Sequence, residues 1–303
     1  FNATGDINID ADSNNILDGN DELTFSDNST LFANGGSINL NAASAGIVGE
    51  GAITLKADKG IEINDSFTTA GTTTLDTDLD NNGAGDFIIA KSKELNTSNN
   101  TLQITANDID LSGTLNSGTA STELLVSDDG TIGLGNTAGN LSITGAELQN
   151  ITATDLTIGN SNGNLTVDNI TAGNSQNITG TVTLKATKDG SGITFTGLDS
   201  TFNALSVIAD DGVTVNTNLT TDVGSLSVDT GGTLTTASTV IVSGDVSLTV
   251  NDIDLGSTLN AGTDTDKRDV SITGQSGRSM SVGSCLLYTS PSPRDLSTSR
   301  MPS

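Results

Sequence analysis

The chain carries one strand-like segment twice. Residues 102–119 read LQITANDIDLSGTLNSGT, and residues 246–263 read VSLTVNDIDLGSTLNAGT, so the two copies align without a gap. Within each copy apolar residues alternate with polar ones, which is the pattern of a β-strand with one buried face. A period of two inside a longer internal repeat is typical of stacked β architectures, in which each repeat packs on its neighbours.

Shorter repeats recur at other spacings. Residues 53–57 (ITLKA) return as 182–186 (VTLKA), and residues 60–64 (GIEIN) return as 212–216 (GVTVN). The offset between copies differs from one repeat to the next, which predicts insertions between constant strands, and the loops of a solenoid tolerate such insertions. Similar short alternations occur from end to end, separated by the turn-forming residues Gly, Asn, Asp and Ser. No stretch has sustained helical periodicity, so we predict essentially no helix beyond a short turn.

The short strands favour a coil over a sandwich. Strands of sandwiches and barrels typically run to five or six residues, whereas the alternating units here often span only three to five. In a parallel β-helix each short strand pairs with its equivalents in the coils above and below. We therefore predict an all-β fold, with residues 1–284 forming a single elongated β-solenoid. At about 20 residues per coil this region gives about 14 coils and, at about 4.8 Å per coil, a rod of about 65 Å. An array of β-sandwich repeats is the alternative fold.

Charge narrows the range of partners. The chain has 37 acidic and 11 basic residues, a net charge of −26, and its Lys and Arg residues are scattered. No basic stripe is present to follow a phosphate backbone, so nucleic acid is not an expected partner. The acidic surface favours solubility and repels anionic membranes. No apolar run approaches the ~20 residues that span a bilayer, so we predict no membrane insertion by this segment.

The composition changes abruptly after Ser284. Pro, Cys and Tyr occur only beyond it, at Pro291, Pro293, Pro302, Cys285 and Tyr288. Residues 285–303 resemble the conceptual translation of a sequencing adapter, and we predict that they form a non-native, disordered tail. At the other end the chain begins at Phe1 rather than Met, and we interpret residues 1–284 as an internal fragment of a longer protein.

Several repeat units have a recognisable style. Residues 36–42 (GSINLNA), 51–57 (GAITLKA) and 139–159 resemble the repeats of filamentous-haemagglutinin-type bacterial exoproteins. The resemblance is one of repeat style and spans nearly all of residues 1–284. It implies a right-handed parallel β-helix, secreted across the outer membrane by a dedicated export partner and acting as an adhesin. The secretion-directing domain of that family is not among these residues.

The absence of several residue types excludes the common nucleophilic and metal-dependent catalytic sites. Residues 1–284 contain no His, Cys, Tyr or Trp, so they offer no Ser-His-Asp triad, Cys-His dyad or His-ligated metal. Two adjacent acidic pairs, Asp128-Asp129 and Asp210-Asp211, are each followed by Gly. Neighbouring strand residues point to opposite faces, so such a pair is not an acid/base pair, and we interpret both as turns. We predict no catalytic, cofactor-binding or metal-binding residues and no enzymatic activity.

Two local patterns suggest binding alternatives. Residues 76–86 place oxygen ligands alternately, and from Asp78 they match the start of a calcium loop, but Ile89 occupies the position of the bidentate Glu. An acidic surface loop is the preferred interpretation. Thr-x-Thr pairs, which could order water as in ice binding, occur at irregular spacings and are interpreted as ordinary strand residues; they begin at Thr72, Thr152, Thr179, Thr194, Thr233 and Thr263.

Together these observations predict a structural and adhesive shaft segment of a secreted bacterial surface adhesin. Its expected location is outside the cell, at the bacterial cell surface. Its expected partners are an unspecified host-cell, matrix or polysaccharide surface and, through the resemblance, an outer-membrane export protein. The alternative is a carbohydrate-active β-helix enzyme or a polysaccharide-binding module.

Overall fold

The computed structural model describes residues 1–11, 21–42, 46–262 and 268–274, together with the backbone of 287–289. These residues form a β-solenoid of about 11 turns, in which the paired strands are parallel. The prediction of an all-β solenoid is therefore confirmed over the described chain, and the alternative of β-sandwich repeats is wrong. Most turns pass through two or three strands, and the strands stack into three faces along the rod.

The strands of each face follow one another along the solenoid. Face 1 contains Asn2–Thr4, Ser29–Asn34, Ile53–Ala57, Thr73–Asp76, Leu102–Ala106, Thr122–Val126, Leu156–Ile158, Thr181–Ala186, Ala204–Ala209, the first parts of Leu226–Thr236 and Val246–Leu255, and Val270–Gly274. Face 2 contains Ile7–Asp10, Ile38–Asn41, Ile61–Ile63, Phe87–Ile89, Ile109–Leu111, Leu141–Ile143, Ile132–Gly135, Leu165–Asp168, Ile193–Phe195, Gly212–Val215, and the second parts of the two long strands. Face 3 contains Leu23–Phe25, Ile47–Gly49, Phe67–Thr69, Glu94–Asn96, Thr114–Asn116, Ile151–Thr152, Ser200–Phe202, Leu219–Thr221, Val240–Val242, Leu259–Ala261 and Leu287–Thr289.

The core is a set of apolar columns. In Ile53–Ala57 the side chains of Ile53, Leu55 and Ala57 are buried, while the intervening Thr54 and Lys56 point outward. In-register pairing stacks each inward residue on its equivalent in the next coil. One face 1 column consists of Leu31, Leu55, Leu75, Ile104, Leu124, Ile158, Leu184, Val207, Val228 and Leu248. Full burial of each such side chain is worth about 1.5–3 kcal/mol, so the columns are the main source of stability.

The duplicated segments occupy equivalent places in the stack. Leu102 and Val246 both lie on face 1, and Ile109 and Ile253 both lie buried on face 2. The shorter repeats behave in the same way, since 53–57 and 182–186 lie on face 1 and 61–63 and 213–215 lie on face 2. The sequence repeat is therefore a repeat of position in the coil.

The solenoid has about 11 turns, fewer than the predicted 14 or so. The predicted coil length holds for the shortest coils only. Leu102 pairs with Thr122 in a short coil, but Thr122 pairs with Leu156 across a much longer stretch of chain. Insertions at the corners lengthen many coils, so fewer coils fit into the chain. At about 4.8 Å per coil, the rod is about 50 Å long rather than about 65 Å.

The coil that begins at Thr122 contains the main irregularity. It places two strands on face 2, with Leu141–Ile143 lying between Ile132–Gly135 and the preceding Ile109–Leu111. A short helix, α1 (Gly145–Gln149), follows and stacks on α2 (Ala172–Ser175) of the next coil. Both helices lie where the chain passes from face 2 to face 3, and between Ile151–Thr152 and Ser200–Phe202 face 3 is reduced to an isolated bridge that joins Ala153 to Ile178.

The predicted non-native tail, 285–303, lies mostly outside the described residues. The exception is the backbone of Leu287–Thr289, which pairs in parallel with Leu259–Ala261 of face 3. An open strand edge with unpaired backbone groups accepts any short segment that can extend, so this pairing needs no native sequence. These three residues thus depart from the predicted disorder, while the non-native origin of the tail stays a prediction.

In the outward columns of the described strands, like charges do not stack directly on one another. Face 2 stacks Thr166, Thr194, Thr214 and Thr235 in consecutive coils. Among the registered strand pairs of the described chain, carboxylates stand beside Asn, Thr, Gln, Gly or an apolar residue, as Glu62 does between Asn39 and Ile88. Where two charges do stack, in Lys56 and Asp76, they are opposite. Like charges directly opposite one another destabilise a sheet, and parallel stacking would create such contacts in every coil.

Replacing neighbouring members of the threonine column should expose this constraint. We expect Thr194→Asp and Thr214→Asp to be non-additive, with a destabilising coupling of about 1 kcal/mol, since two charges about 4.8 Å apart repel by that amount in water. A double-mutant cycle on urea unfolding measures the coupling. The control pair, Thr194→Asp with Thr235→Asp, is two coils apart, and its coupling should be less than about 0.5 kcal/mol. Equal couplings for the two pairs, or a coupling insensitive to salt, would contradict the column argument.

Candidate functional surface

Most residues singled out by their chemistry lie at one corner of the solenoid. The chain turns from face 1 to face 2 there in every coil, and four successive coils contribute carboxylates. We call these residues the acidic corner: Asp58, Asp76, Asp78, Asp80, Asp86, Asp108, Asp128 and Asp129. The corner therefore brings together the 76–86 segment, one of the two acidic pairs and one Asp of the duplicated segment.

Asp78, the first ligand of the calcium-loop alternative, is fully buried and already bonded. Its Oδ1 accepts a hydrogen bond from the backbone N–H of Asn82 at 3.1 Å. Its Oδ2 accepts from the backbone N–H of Gly83 at 3.0 Å and from the hydroxyl of Ser127 at 2.6 Å. These donors use both carboxylate oxygens to fold the segment on itself. Within the part of the chain that the structure describes, no group of three or more acidic, His or Cys side chains is arranged to hold a metal.

The carboxylates beside Asp78 lie in a repulsive environment. Burial raises the pKa of Asp76; nearby Lys56 opposes this, while Asp78 and Asp58 add to it. Partial desolvation and the neighbouring Asp78 and Asp58 also raise the pKa of the Asp80 carboxyl, although Asp80 is exposed. The acidic corner therefore concentrates negative charge, with Lys56 close to Asp76 and Lys188 close to Asp129.

The two Asp-Asp-Gly sequences form turns. Asp128 and Asp129 both have left-handed backbones, with φ of 53° and 50°, and Asp129 lies 3.6 Å from the Lys188 ammonium. Asp210 accepts a hydrogen bond from the backbone N–H of Gly190 at 2.8 Å. Each pair thus lies at a face 1 to face 2 corner, and the interpretation of these sequences as turns agrees with the geometry.

The Asp residues of the duplicated segment face outward, as the alternation predicts. Asp110 and Asp254 are exposed between buried apolar residues. Asp108 is half-buried, and its Oδ1 accepts from the backbone N–H of Ser142 at 2.8 Å. Burial raises the pKa of Asp108, and the N–H groups of Ser142 and Ile109 oppose that effect. Asp108 thereby joins its own coil to the extra strand of the Thr122 coil.

The Thr-x-Thr pairs do not form one array. Thr152 lies on face 3, Thr194 and Thr233 lie on face 2, and Thr72 and Thr179 lie at corners. Thr263 lies outside the described residues. The regular threonine column of face 2 includes Thr166 and Thr214, which belong to no Thr-x-Thr pair, so the spacing of these units along the sequence does not reveal the column.

A longer polar column on face 1 was also missed by sequence reasoning. Outward hydroxyl, amide and carboxylate side chains follow one another through consecutive coils; they are Thr30, Thr54, Thr74, Gln103, Glu123, Thr157, Thr183, Ser206, Ser227, Ser247 and Ser271. The signal available in the sequence is the polar residue directly before the central buried apolar residue of each face 1 strand, as Thr54 stands before Leu55. It becomes a column only when the coil lengths are known.

One ion pair ties two coils together at the opposite corner. The Lys93 ammonium lies 2.5 Å from the Asp65 carboxylate, which is buried, whereas the lysine side chain is about one-third exposed. Asp65 also accepts from the backbone N–H of Ser66 at 2.7 Å. No local pattern indicates this pairing, since the two residues are 28 positions apart.

Comparison with known proteins adds no relative: no family model, curated protein or solved structure matches this chain. Neither helix within the described residues has the length and apolar character needed to cross a bilayer.

Protonation of Asp108 should contribute to stability at weakly acidic pH. Because its folded-state pKa is raised, its contribution is fully present below the unfolded-state pKa and is lost as pH rises through the folded-state pKa. We expect Asp108→Asn, which keeps an acceptor for Ser142, to reduce the gain in urea midpoint as the pH falls from 7 to about 4, close to the ordinary Asp pKa of about 3.9. Asp110→Asn, two residues further along and within the strand Ile109–Leu111, controls for removal of one charge. An unaltered pH dependence in Asp108→Asn would contradict the assignment.

Removing the Lys93 ammonium should destabilise the solenoid. Lys93→Met retains much of the aliphatic packing but leaves the buried Asp65 carboxylate without its charged donor. We expect a loss of about 1–2 kcal/mol in unfolding free energy, below the value for a fully buried pair because the lysine is partly exposed. Lys91→Met, at an exposed position in the same turn, is the matched control and should change stability by less than about 0.5 kcal/mol. Similar effects of the two substitutions in urea unfolding would contradict this role.

Proposed function

We propose that this chain is a structural segment of the shaft of a secreted bacterial surface adhesin and that it performs no catalysis itself. The observation that carries the proposal is the unbroken stack of about 11 turns, whose apolar columns are continuous from one coil to the next. A stack of this kind holds its ends a fixed distance apart, because each coil is hydrogen-bonded to its neighbours. The repeat style of residues 36–42 and 51–57 supports the same role.

The surface supports a spacer more than a dedicated binding site. One outward column of face 1 and the face 2 column from Thr166 to Thr235 are mostly Thr and Ser, and they repeat a similar chemistry in successive coils. Such a surface offers many equivalent weak contacts, which become effective only when several are made together. The acidic carboxylates that could have formed a reactive centre are instead used in turns and hydrogen bonds, as Asp78 and Asp210 are.

Binding and cleavage assays on the purified chain test this proposal. We expect the free chain to show no measurable monovalent binding to host cells, matrix proteins or polysaccharides. Beads that carry many copies should bind these surfaces weakly, and the bound fraction should fall as the number of copies per bead is reduced. Incubation with acidic and neutral polysaccharides should produce no new reducing ends. Tight monovalent binding at one locus would replace the shaft role with a dedicated binding module, and polysaccharide cleavage would support the alternative of a carbohydrate-active enzyme.

A further inference from the structure

The default behaviour of a solenoid is nearest-neighbour coupling. Each coil contacts the coils directly before and after it, so local opening begins in any weak coil and spreads one coil at a time. A side chain that reaches past the adjacent coil changes this behaviour, because two coils that do not touch through their strands then open together. The segment 77–86 makes such a contact.

Asp78 bonds to a coil that is not its neighbour. Asp78 follows the face 1 strand Thr73–Asp76, whereas its partner Ser127 follows Thr122–Val126, and the strand Leu102–Ala106 lies between them. The Ser127 hydroxyl nevertheless donates to Asp78 Oδ2 at 2.6 Å, across a sequence separation of 49. Both side chains are buried, with Asp78 0% and Ser127 3% exposed, so water does not replace this bond while the corner is closed.

The same segment also contacts the coils on either side of its own. The backbone N–H of Leu79 donates to the carbonyl of Ala57 in the preceding coil at 3.0 Å. In the following coil, the backbone N–H of Asn107 donates to the carbonyl of Gly85 at 2.8 Å, and its side-chain amide donates to Asp86 at 3.0 Å. Segment 77–86 therefore touches four consecutive coils, those that begin at Ile53, Thr73, Leu102 and Thr122.

Its fold depends on close backbone packing. A Cβ added at Gly85 would overlap the carbonyl oxygen of Thr77, and the Thr77 hydroxyl donates to the Gly85 carbonyl at 2.8 Å. The two ends of the segment are thus held together, and the middle is folded over the corner by the bonds of Asn82 and Gly83 to Asp78. The segment is therefore a strap: its two ends are held together by Thr77 and Gly85, and its middle is attached to the Thr122 coil by the buried Asp78–Ser127 hydrogen bond.

We propose that residues 77–86 form a strap, closed by the Asp78–Ser127 hydrogen bond, that makes the Thr73, Leu102 and Thr122 coils open as one cooperative unit. The Leu102 and Thr122 coils are further joined by the hydrogen bond of Glu147 with the backbone N–H of Leu111 at 3.1 Å and by that of Asn150 with the carbonyl of Leu111 at 2.8 Å. The strap extends this joined block to the Thr73 coil. The proposal concerns the mechanics of the rod and is independent of the adhesive role.

Hydrogen exchange of the full chain, read by mass spectrometry over increasing urea, tests the strap. In the unmodified protein, peptides covering 77–85 and 122–130 should share one opening free energy and one urea dependence. In Ser127→Ala, which leaves a buried Asp78 oxygen short of a donor, exchange of 79–85 should accelerate at least about tenfold and separate from that of 122–126. Ser206→Ala, on the outward column of face 1, is the matched control and should leave 79–85 unchanged.

Two results would overturn the proposal. The first is a response of Ser127→Ala confined to residues 126–130, with 79–85 exchanging as in the unmodified chain. The second is independent opening of 77–85 and 122–130 in the unmodified protein, a measurement that needs no variant to fold. Loss of binding in the bead assay has no bearing on either result, so failure of the strap and failure of the proposed function are distinguishable.

Discussion

In-register parallel pairing is the constraint on which the rest of this structure depends. It places equivalent residues of successive coils directly over one another at about 4.8 Å, so each choice of residue is repeated along the rod. Inward, the result is the continuous apolar column that passes through Leu55, Leu75 and Ile104. Outward, the same spacing makes like charges costly, and the columns contain hydroxyl and amide side chains in their place. A single geometric rule thus determines both the core and the chemistry of the faces.

The corners carry what the faces exclude. Length variation, left-handed backbones and most of the carboxylates lie there, where residues of adjacent coils need not be in register. Non-glycine residues with positive φ illustrate this, because Asn28, Asn81 and Asp129 all lie in turns between strands. Asn and Asp tolerate that conformation better than other side chains, which accounts for their abundance between the alternating segments. The backbone conformations of the corners therefore favour Asp and contribute to the strongly acidic composition, which also favours solubility.

Local pattern was sufficient to predict the class of fold but not its register. The alternation in segments such as 53–57 and 102–106 predicts strands with one buried face, and both strands have that burial pattern. The number of coils, the threonine column of face 2 and the Asp78–Ser127 bond all depend on which strand pairs with which, and that is a non-local property. The gap between Thr122 and its partner Leu156 contains an extra strand and a helix, and its length cannot be read from alternation. For α1 a local signal did exist, since Thr144 and Glu147 have the spacing of a capping box and form one.

The difference between repetitive faces and non-repetitive corners determines where such a rod could bind a ligand selectively. The Thr and Ser columns of face 1 and face 2 present similar hydroxyl groups in successive coils, so a ligand that gains contact energy from such a column in one coil gains nearly the same in the next. Recognition on these faces would therefore grow with the length of contact and would discriminate poorly between positions along the rod. Discrimination requires groups that occur once, and the corners contain them, as the helix pair α1 and α2 and the segment 77–86 illustrate. In segment 77–86, however, the distinctive carboxylate of Asp78 is bonded internally and stabilises the stack. The structure thus directs its least repetitive chemistry toward holding coils together, which favours a mechanical role for this part of the chain.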